Sequence, residues 1–381
     1  MKYDYVIAGA GCAGLSLLYR ILCDHQLSNK RILVIDKDEK DKNDRTWCYW
    51  EEGKGLFEHV VAHQWPTLRF TNTEFTKECH LQKYRYKMIK GLDFYNYVKA
   101  FAKGFSNVQF SKEAIQSLKM EGKLCKIRTK KNSYEADYVF NSTGLFHPEM
   151  SEENTLLQHF EGWVIKTDKP QFDSSIGTLM DFSLEQTHGT TFMYVLPTSE
   201  TEALVEYTLF SPSTLEKEEY SRMLKEYIKD TLNIENYQIK HTEFGIIPMS
   251  LAEFAPVVQG HERILNIGTA GGNTKASTGY TFQFVQKYTS QIVEQLLKNE
   301  YPAPKLSFNQ KKFKWYDRTL LQVLIDKKMD GKSIFSSMFK KIDAEDILSF
   351  LANESSPLLD LKIMSSVPTL PFLVSGFKQL R

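Results

Sequence analysis

The feature that most constrains this chain is a glycine-rich turn between a short apolar run and an apolar-periodic segment. The run is 3–8, and the turn 9–14 reads Gly-Ala-Gly-Cys-Ala-Gly. A second apolar run, 31–35, ends at Asp36. This order predicts strand, turn, helix and strand, in which the glycines let the backbone approach a pyrophosphate at the positive end of the helix. Asp36 then lies where a carboxylate hydrogen-bonds a ribose hydroxyl.

Two later segments also consist of an apolar strand that ends in small residues. Residues 138–144 end in Asn-Ser-Thr-Gly, and 263–267 lead into Gly-Thr-Ala-Gly-Gly before a predicted helix over 282–299. Glycine loops from distant parts of the chain predict one cofactor site, although each loop alone is compatible with an ordinary turn. The candidate cofactor contacts are Gly9, Ala10, Gly11, Cys12, Ala13, Gly14, Asp36, Gly144, Gly268, Thr269 and Gly271.

An arginine followed by aromatic residues stands soon after the first turn. Arg45 is a further candidate contact, because its planar guanidinium pairs well with phosphate. The side chains of Trp47, Tyr49 and Trp50 either line a cavity or belong to the core.

Composition excludes several classes of protein. The chain has 381 residues, of which 42% are hydrophobic, and a net charge of +1, so nothing in its overall charge indicates nucleic-acid binding. Its five cysteines are scattered without metal-ligand spacing, which predicts a reduced, cytoplasmic setting and no metal. The first strand begins too early for a signal peptide. No run approaches the roughly 18 apolar residues that a membrane-spanning helix needs.

The order of strands and helices predicts an α/β fold with a Rossmann-like domain, an inserted β-sheet substrate domain and a helical C-terminal region. A small meander is expected from the strands at 108–110, 123–129 and 133–137. The Rossmann-like domain is assigned to 1–60, 90–150 and 255–300, the substrate domain to 60–90 and 160–250, and the helical region to 301–381.

The C-terminal region is basic and rich in aromatic residues. From 301 onward, 13 Lys and Arg stand against 8 Asp and Glu, a charge of +5. Lysine pairs at 311–312, 327–328 and 340–341 alternate with apolar and aromatic positions. Such helices lie in a membrane interface, or they pack on the protein body with solvated lysines, and both interpretations stay open.

Taken together, these motifs resemble bacterial lycopene β-cyclases, within the wider flavoprotein fold of the p-hydroxybenzoate hydroxylase type. The resemblance runs nearly end to end. Its most specific parts are Asn-Asp-Arg-Thr-Trp at 43–47 and Ser-Thr-Gly-Tyr-Thr-Phe at 277–282. Further matches are Met-Asp-Phe at 180–182, Val-Glu-Tyr-Thr at 205–208, Gly-Ile-Ile-Pro-Met at 245–249 and Ser-Val-Pro-Thr-Leu-Pro-Phe at 366–372.

The resemblance implies FAD, active in its reduced form, with NAD(P)H as the reductant. It implies an intramolecular lyase or isomerase that protonates the ψ-ends of lycopene and closes them into β-rings, toward γ-carotene and β-carotene, without net redox change. The late loop carries Gly268-Thr269, whereas the wider fold usually has Gly-Asp, so the usual ribityl contact and ordinary hydroxylase chemistry are less expected.

Glu206 is the candidate general acid. In a strand over 203–210, alternation places Glu206 on one face with Leu204 and Phe210, and Val205 on the other. The family match at 205–208 favours the catalytic assignment over an exposed or paired carboxylate. Burial raises the pKa of a carboxyl, which supplies the protonated acid that alkene protonation requires. Asp181 is the second candidate acid.

Lycopene is too apolar to arrive through water, so the resemblance also predicts a peripheral protein on the inner face of the cell membrane. The residues at 308–341 are the expected contact face. Two other functions are kept. One is a flavin-dependent monooxygenase or prenyl-chain reductase on the same fold, and the other is a non-catalytic lipid or carotenoid carrier.

Overall fold

The protein is a mixed α/β structure, and its computed structural model describes residues 2–379. The strands are β1 Lys2–Ala8, β2 Ile32–Asp36, β3 Thr46–Glu52, β4 Val61–Trp65, β5 Thr67–Thr71, β6 Thr76–His80, β7 Tyr84–Lys90, β8 Val108–Lys112, β9 Ile115–Glu121, β10 Leu124–Thr129, β11 Ser133–Asn141, β12 Thr155–Lys166, β13 Ile176–Asp181, β14 Thr190–Ser199, β15 Glu202–Ser211, β16 Gln238–Ser250, β17 Val257–Val258 and β18 His261–Asn266. The helices are α1 Cys12–Cys23, α2 Gly91–Ala102, α3 Lys217–Glu226, α4 Phe282–Leu297, α5 Phe308–Ile325, α6 Gly331–Lys341, α7 Ala344–Leu351, α8 Pro357–Ser365 and α9 Thr369–Lys378.

A largely parallel sheet carries the glycine-rich turn. Its main path runs β17-β18-β11-β1-β2-β8, and β1 is parallel to both of its neighbours. Ile7 of β1 and Leu18 of α1 belong to the core on one face of this sheet. Val6 belongs to the core on the other face, together with Ile127 of β10. Strands that are apolar on both faces are expected in a parallel sheet, and the predicted Rossmann-like α/β fold is confirmed.

Strand β8 differs from the sequence prediction, which placed 108–110 in a meander. It pairs in parallel with β2, so that Phe110 lies beside Val34. The meander is formed by β9, β10 and β11, and β11 continues without a break to Asn141. The prediction was wrong because a short apolar strand carries no local signal for a parallel or an antiparallel partner.

The second sheet has the strand order β16-β12-β15-β14-β13-β5-β6. Helix α3 covers one of its faces, where Leu224 is fully buried with Val205 of β15. The C-terminal helices cover the other face, where Phe335 of α6 stacks on Phe182 with 6.1 Å between ring centroids. Because both faces are covered, β14 and β15 are apolar at most positions.

Strands β3, β4 and β7 form a third, smaller sheet. The prediction assigned the whole of 60–90 to the large antiparallel sheet, but β5 and β6 alone join it, whereas β7 pairs with β3 and β4. Alternation along β3 explains the difference, since Tyr49 belongs to the core of the parallel sheet and Trp50 to that of the second sheet. The small sheet therefore joins the two cores.

The C-terminal helices bury most of the aromatic residues of the expected membrane-contact face over 308–341, although Phe308 is exposed. Phe335 and Phe339 are buried, and Phe339 stacks on Phe70 of β5 with 4.4 Å between ring centroids. Lys341 donates a hydrogen bond to a backbone carbonyl at 2.7 Å instead of facing solvent freely. An aromatic stripe at helical spacing can pack on a sheet or on a bilayer, and here it packs on the sheet. Among the helices of residues 2–379, none combines the length and the apolar character needed to cross a bilayer.

The two ends of the chain close one core. The indole Nε1 of Trp50 donates a buried hydrogen bond to the carbonyl oxygen of Leu348 at 3.0 Å, across 298 positions of sequence. Ile363 of α8 belongs to the same core. The core on this face of the second sheet is therefore complete only when the C-terminal helices have packed on it.

Candidate functional site

The glycine-rich turn presents the N-terminus of α1 to a cavity of about 360 Å³. Gly9 has φ of +108°, a backbone conformation that favours glycine. The N–H of Ala10 donates to Oδ2 of Asp36 at 2.6 Å, which ties the turn to the end of β2. Gly11, Cys12 and neighbouring Ala13 line the cavity. The first N–H groups of a helix lack intrahelical partners, so this end of α1 suits an anionic group.

Each glycine of the turn has a different reason to lack a side chain. A Cβ at Gly14 would lie 1.9 Å from the carbonyl oxygen of Gly9, so this position is closed by the protein itself. A Cβ at Gly11 would meet no protein atom within 4 Å. The open space beside Gly11 fits the close approach of a bound pyrophosphate to the backbone.

The three distant loops meet at this turn. The N–H of Ser142, after β11, donates to the carbonyl of Ala8 at 2.8 Å. A Cβ at Gly268 would lie 2.8 Å from that of Ala13, so the late loop packs directly on α1. Ser142, Gly268 and Thr269 all line the cavity. Of the predicted contacts, these loops bring Gly268 and Thr269 to the cavity wall.

Two predicted loop contacts have other surroundings. The nearest atoms to a Cβ at Gly144 would belong to the ring of His147, 3.9 Å away, and Ser142 represents this loop in the cavity. A Cβ at Gly271 would lie 2.3 Å from the carbonyl oxygen of Asn266, so Gly271 is needed for the turn itself.

Arg45 lies on the cavity wall and places positive charge near the turn. Its Nη1 donates to the carbonyl oxygen of Asp44 at 2.7 Å, and the Asp44 carboxylate accepts from Tyr95 at 2.8 Å. Trp47 also lines the cavity, whereas Trp50 is buried in the core. The aromatic segment therefore contributes both to the cavity wall, through Trp47, and to the core, through Trp50.

The other wall of the cavity is the face of the second sheet, and two carboxyl groups meet on it. In the register of the sheet, Gly162 of β12 lies beside Glu206 of β15 on one side and Glu243 of β16 on the other. A Cβ at Gly162 would lie 3.3 Å from Oε2 of Glu206 and 3.3 Å from Cγ of Glu243. Glycine between them leaves room for the two carboxyl groups to hydrogen-bond to each other.

Each carboxyl group also accepts a hydrogen bond from a threonine hydroxyl. Thr208 donates to Oε1 of Glu206 at 3.0 Å, and Thr46 of β3 donates to Oε2 of Glu243 at 2.7 Å. Burial, and after it the charge of Glu243, raises the pKa of Glu206 well above its usual range. Burial also raises the pKa of Glu243. Glu206 is partly accessible from the cavity, and these effects favour its protonated form.

Two polar atoms in the cavity wall have no hydrogen-bond partner among the described residues. They are Oε1 of Gln158 and Oγ1 of Thr278, both buried, and the Tyr280 hydroxyl beside them has only the hydroxyls of Tyr86 and Tyr194 as hydrogen-bond neighbours. Buried polar groups in folded proteins are nearly always paired, so unpaired atoms in one cavity indicate a site for the polar groups of a bound molecule. Gln158, Thr278 and Tyr280 line the same cavity as Gly268 and Glu206.

The structure separates Asp181, the second candidate acid, from Glu206. Asp181 accepts a hydrogen bond from the hydroxyl of Tyr227 at 2.7 Å. Tyr227 belongs to the core under α3, on the opposite face of the sheet from Glu206. The alternation predicted for 203–210 is confirmed, because Val205 lies in that core and Leu204 in the other.

Glu243 was missed by the sequence analysis. Alternation along β16 places it on one face with Gly245, which was a readable signal. What no local pattern contains is the register that brings β15 and β16 to the same residue of β12. The two carboxyl groups meet because β15 and β16, in which they lie about 40 residues apart along the chain, both pair with β12.

A second, apolar groove of about 260 Å³ lies between the C-terminal helices. Leu373 and Phe377 of α9 form part of its wall, and Ser277 lies at its inner side. Ser277 precedes Thr278 of the main cavity, so the groove adjoins that cavity along the chain. Large apolar side chains are exposed around the groove, namely Leu358, Leu361, Leu370, Leu373, Val374 and Phe377.

Comparison with known proteins identifies relatives for nearly the whole chain. The family model described as "Lycopene cyclase protein" matches residues 4–376. A lycopene beta-cyclase of Pantoea ananas is 24% identical over 294 residues, which cover 73% of this chain and 71% of that protein.

Solved structures of similar fold are flavoproteins and related reductases of low sequence identity. A geranylgeranyl bacteriochlorophyll reductase-like protein of Thermoplasma acidophilum aligns with a TM-score of 0.59 at 14% identity, covering 100% of this chain and 96% of that one. A flavin-dependent brominase aligns with a TM-score of 0.62 at 12% identity, covering 100% of both chains. These likenesses confirm the fold.

The carboxyl pair predicts a pH-dependent effect of Glu206→Gln on stability. In the unfolded chain Glu206 ionises near its ordinary pKa of about 4.3, whereas burial and Glu243 keep it protonated in the folded protein to much higher pH. The parent therefore loses stability as pH rises between these two pKa values, and glutamine does not. We expect the melting temperature of the variant, relative to the parent, to be higher at pH 8 than at pH 5.

Thermal unfolding of the two proteins at both pH values measures this difference. The exposed Glu235→Gln is the matched control, and its difference from the parent should be the same at pH 5 and pH 8. A Glu206→Gln difference that does not change with pH would show that Glu206 is already ionised in the folded protein.

Proposed function

Because this chain belongs to the lycopene cyclase protein family, we propose that it is a lycopene β-cyclase with Glu206 as its general acid. The proposed reaction is a redox-neutral, proton-initiated closure of the ψ-ends of lycopene into β-rings, toward γ-carotene and β-carotene. The observation that carries the proposal is the position of the Glu206 carboxyl on the wall of a cavity lined by aromatic side chains, where desolvation raises its pKa well above its usual range.

The chemistry requires such an acid, because an alkene is a very weak base. Glu206 gives its proton to the terminal double bond, and the resulting tertiary cation is attacked by the next double bond. Loss of a proton then leaves the β-ring. Aromatic faces stabilise a cation by about 2 kcal/mol when the site is desolvated, and Trp47, Tyr194 and Tyr280 supply them in the same cavity.

FAD is the proposed cofactor, and the residues around the turn fit it. The open space beside Gly11 and the N-terminus of α1 would receive the pyrophosphate, with Arg45 nearby on the cavity wall. Asp36, whose carboxylate accepts from the N–H groups of Ala10 and Asp38, would lie at the ribose end behind the turn. Gly268 and Thr269 would contact the cofactor from the late loop. Bound and reduced, with NAD(P)H as reductant, FAD would supply an electron-rich ring system beside the developing positive charge.

A reductase acting on a prenyl chain is the second candidate, because the fold of the reductase-like protein of Thermoplasma acidophilum covers this whole chain. The two functions give different products. Cyclisation leaves the mass of lycopene unchanged, whereas reduction adds hydrogen. Mass spectrometry of the product made under reducing, anaerobic conditions distinguishes them.

The substrate class supports a peripheral position on the membrane, which we assign to α8 and α9 in place of 308–341. Leu370 and Phe377 are 72% and 69% exposed, and Leu358 of α8 is 80% exposed. A cluster of exposed large apolar side chains on a folded surface is typical of membrane or partner contact. The adjoining apolar groove would receive lycopene from the bilayer, on the inner face of the cell membrane.

Glu206→Gln tests the general acid. Glutamine keeps the size and polarity of the side chain but has no acidic proton, so cyclisation of lycopene should fall by at least about 10²–10⁴-fold while FAD and lycopene still bind. Product analysis by chromatography measures this with liposomes and reduced FAD. Glu161→Gln is the matched control, since Glu161 is a buried glutamate of the same sheet that accepts from Trp163 on the other face. Turnover near the parent rate in Glu206→Gln would assign the proton to another group.

Gly11→Val tests the cofactor site. An added Cβ meets no protein atom within 4 Å, so the variant should fold, but the side chain fills the space of the pyrophosphate and should abolish FAD binding. Flavin absorbance after desalting, together with circular dichroism, reports the two properties separately. The exposed Gly104→Val should keep its flavin. Full flavin occupancy in Gly11→Val at unchanged affinity would contradict the assignment.

A triple variant, Leu370→Ser, Leu373→Ser and Phe377→Ser, tests the membrane face. These side chains are exposed, so their loss should leave the fold intact and weaken flotation with liposomes. Cyclisation of lycopene supplied in liposomes should fall more than that of lycopene supplied in detergent. Phe110→Ser, an exposed aromatic residue of β8, is the control. Unchanged flotation of the triple variant would exclude α9 as the contact.

A further inference from the structure

We propose, building on the cyclase function above, that Glu243 is a positioning residue that shares one proton with Glu206 and keeps this proton on Glu206 for delivery to the substrate. The observation behind it is the meeting of two carboxyl groups over one glycine. Neither the composition nor the motifs of the chain single out Glu243, and the proposed cyclisation needs just one acid.

The sheet brings the two carboxyl groups together over a residue that has no side chain. Glu206 and Glu243 lie on the two strands that flank β12, and both are in register with Gly162. Any side chain at Gly162 would crowd the pair. It would also crowd Leu204, whose Cδ1 would lie 3.0 Å from the added Cβ. Two carboxylates in contact inside a protein repel each other strongly, so the pair holds one proton in its stable state.

The surroundings decide which carboxyl carries the charge. Thr46 donates to Glu243, and Arg45 and His241 are close enough to favour a negative charge there. Glu206 has Thr208 as its donor and no comparable cation among these neighbours. The arrangement therefore places the negative charge on Glu243 and the proton on Glu206.

The thiol and phenol groups that face the pair stay neutral in the working pH range. Burial raises the pKa of the Cys48 thiol and of the Tyr86 and Tyr194 hydroxyls well above their usual values, and it raises that of Tyr280 to about 12. The groups that face the pair from the surrounding strands and loops are Arg45 and Cys48 near β3, Tyr86 of β7, Tyr194 of β14, His241 of β16 and Tyr280 before α4.

The pair begins and ends the reaction with one proton. The O–H bond of Glu206 breaks as a C–H bond forms on the less substituted carbon of the terminal double bond, which leaves the positive charge on the tertiary carbon. The electron pair of the next double bond then forms the ring bond, and a C–H bond beside the new cation breaks to give the ring alkene. This last proton returns to the carboxyl pair, and no oxidant or reductant is consumed.

Glu243→Gln is the decisive variant. It removes the neighbouring negative charge and turns an acceptor into an amide that can donate to Glu206, so Glu206 should lose its proton at lower pH. The alkaline limb of the pH profile of cyclisation should move down by about one to three pH units. The KM for lycopene should change little. Glu206→Gln should instead be inactive at every pH, and Glu161→Gln should keep the parent profile.

Infrared difference spectroscopy of the substrate-free protein gives a second readout that does not depend on turnover. The band of a protonated carboxyl group should persist to alkaline pH in the parent and titrate at lower pH in Glu243→Gln. Gly162→Ala, which crowds the pair apart, should shift the band in the same direction and serves if Glu243→Gln does not fold.

The two proposals fail in different ways. An infrared shift in a protein that does not cyclise lycopene supports the shared proton and removes the cyclase function. Active parent and Glu243→Gln proteins with the same alkaline limb, and the same infrared band, overturn the shared proton and leave the cyclase function standing.

Discussion

The site of this protein depends on one constraint, which is that the carboxyl group of Glu206 is shielded from bulk water. Moving a carboxylate from water into an apolar site costs several kcal/mol unless a cation compensates it, so a buried glutamate holds its proton. Glu206 meets this condition because two sheets and one loop enclose it: the large antiparallel sheet forms its floor, the small sheet contributes Thr46 and Tyr86, and the segment before α4 contributes Tyr280. These parts of the fold together favour the protonated form of one side chain.

Local sequence signals predicted the parts of the site that depend on neighbouring residues. The glycine-rich turn, the end of β2 at Asp36 and the face of Glu206 all follow from spacing within one or two elements. The same spacing says nothing about which strands become neighbours. For this reason the partner of β8 was assigned wrongly, and Glu243 was missed although its segment was assigned to the β-sheet domain.

The C-terminal region shows the same limit for helices. An amphipathic stripe states that one face of a helix is removed from water, and it does not state what covers that face. The aromatic residues of α6 pack on the sheet, whereas the leucines of α9 remain exposed. Lys328, assigned from sequence to a membrane-contact face, pairs with Asp326 at 3.0 Å. The excess positive charge of this region is therefore partly neutralised within the protein.

The hydrogen bond from Trp50 to Leu348 has a consequence for the synthesis of the chain. The core that surrounds the acid contains residues from both ends, so it stays open until α7 and α8 have left the ribosome. During that time the apolar face of the antiparallel sheet is exposed, and such surfaces attract chaperones, other chains or a membrane. Closing a loop of this length is also slow compared with local folding. The nascent protein is therefore prone to aggregate until its last helices have been synthesised. A truncation that removes these helices would leave the apolar face of the sheet exposed.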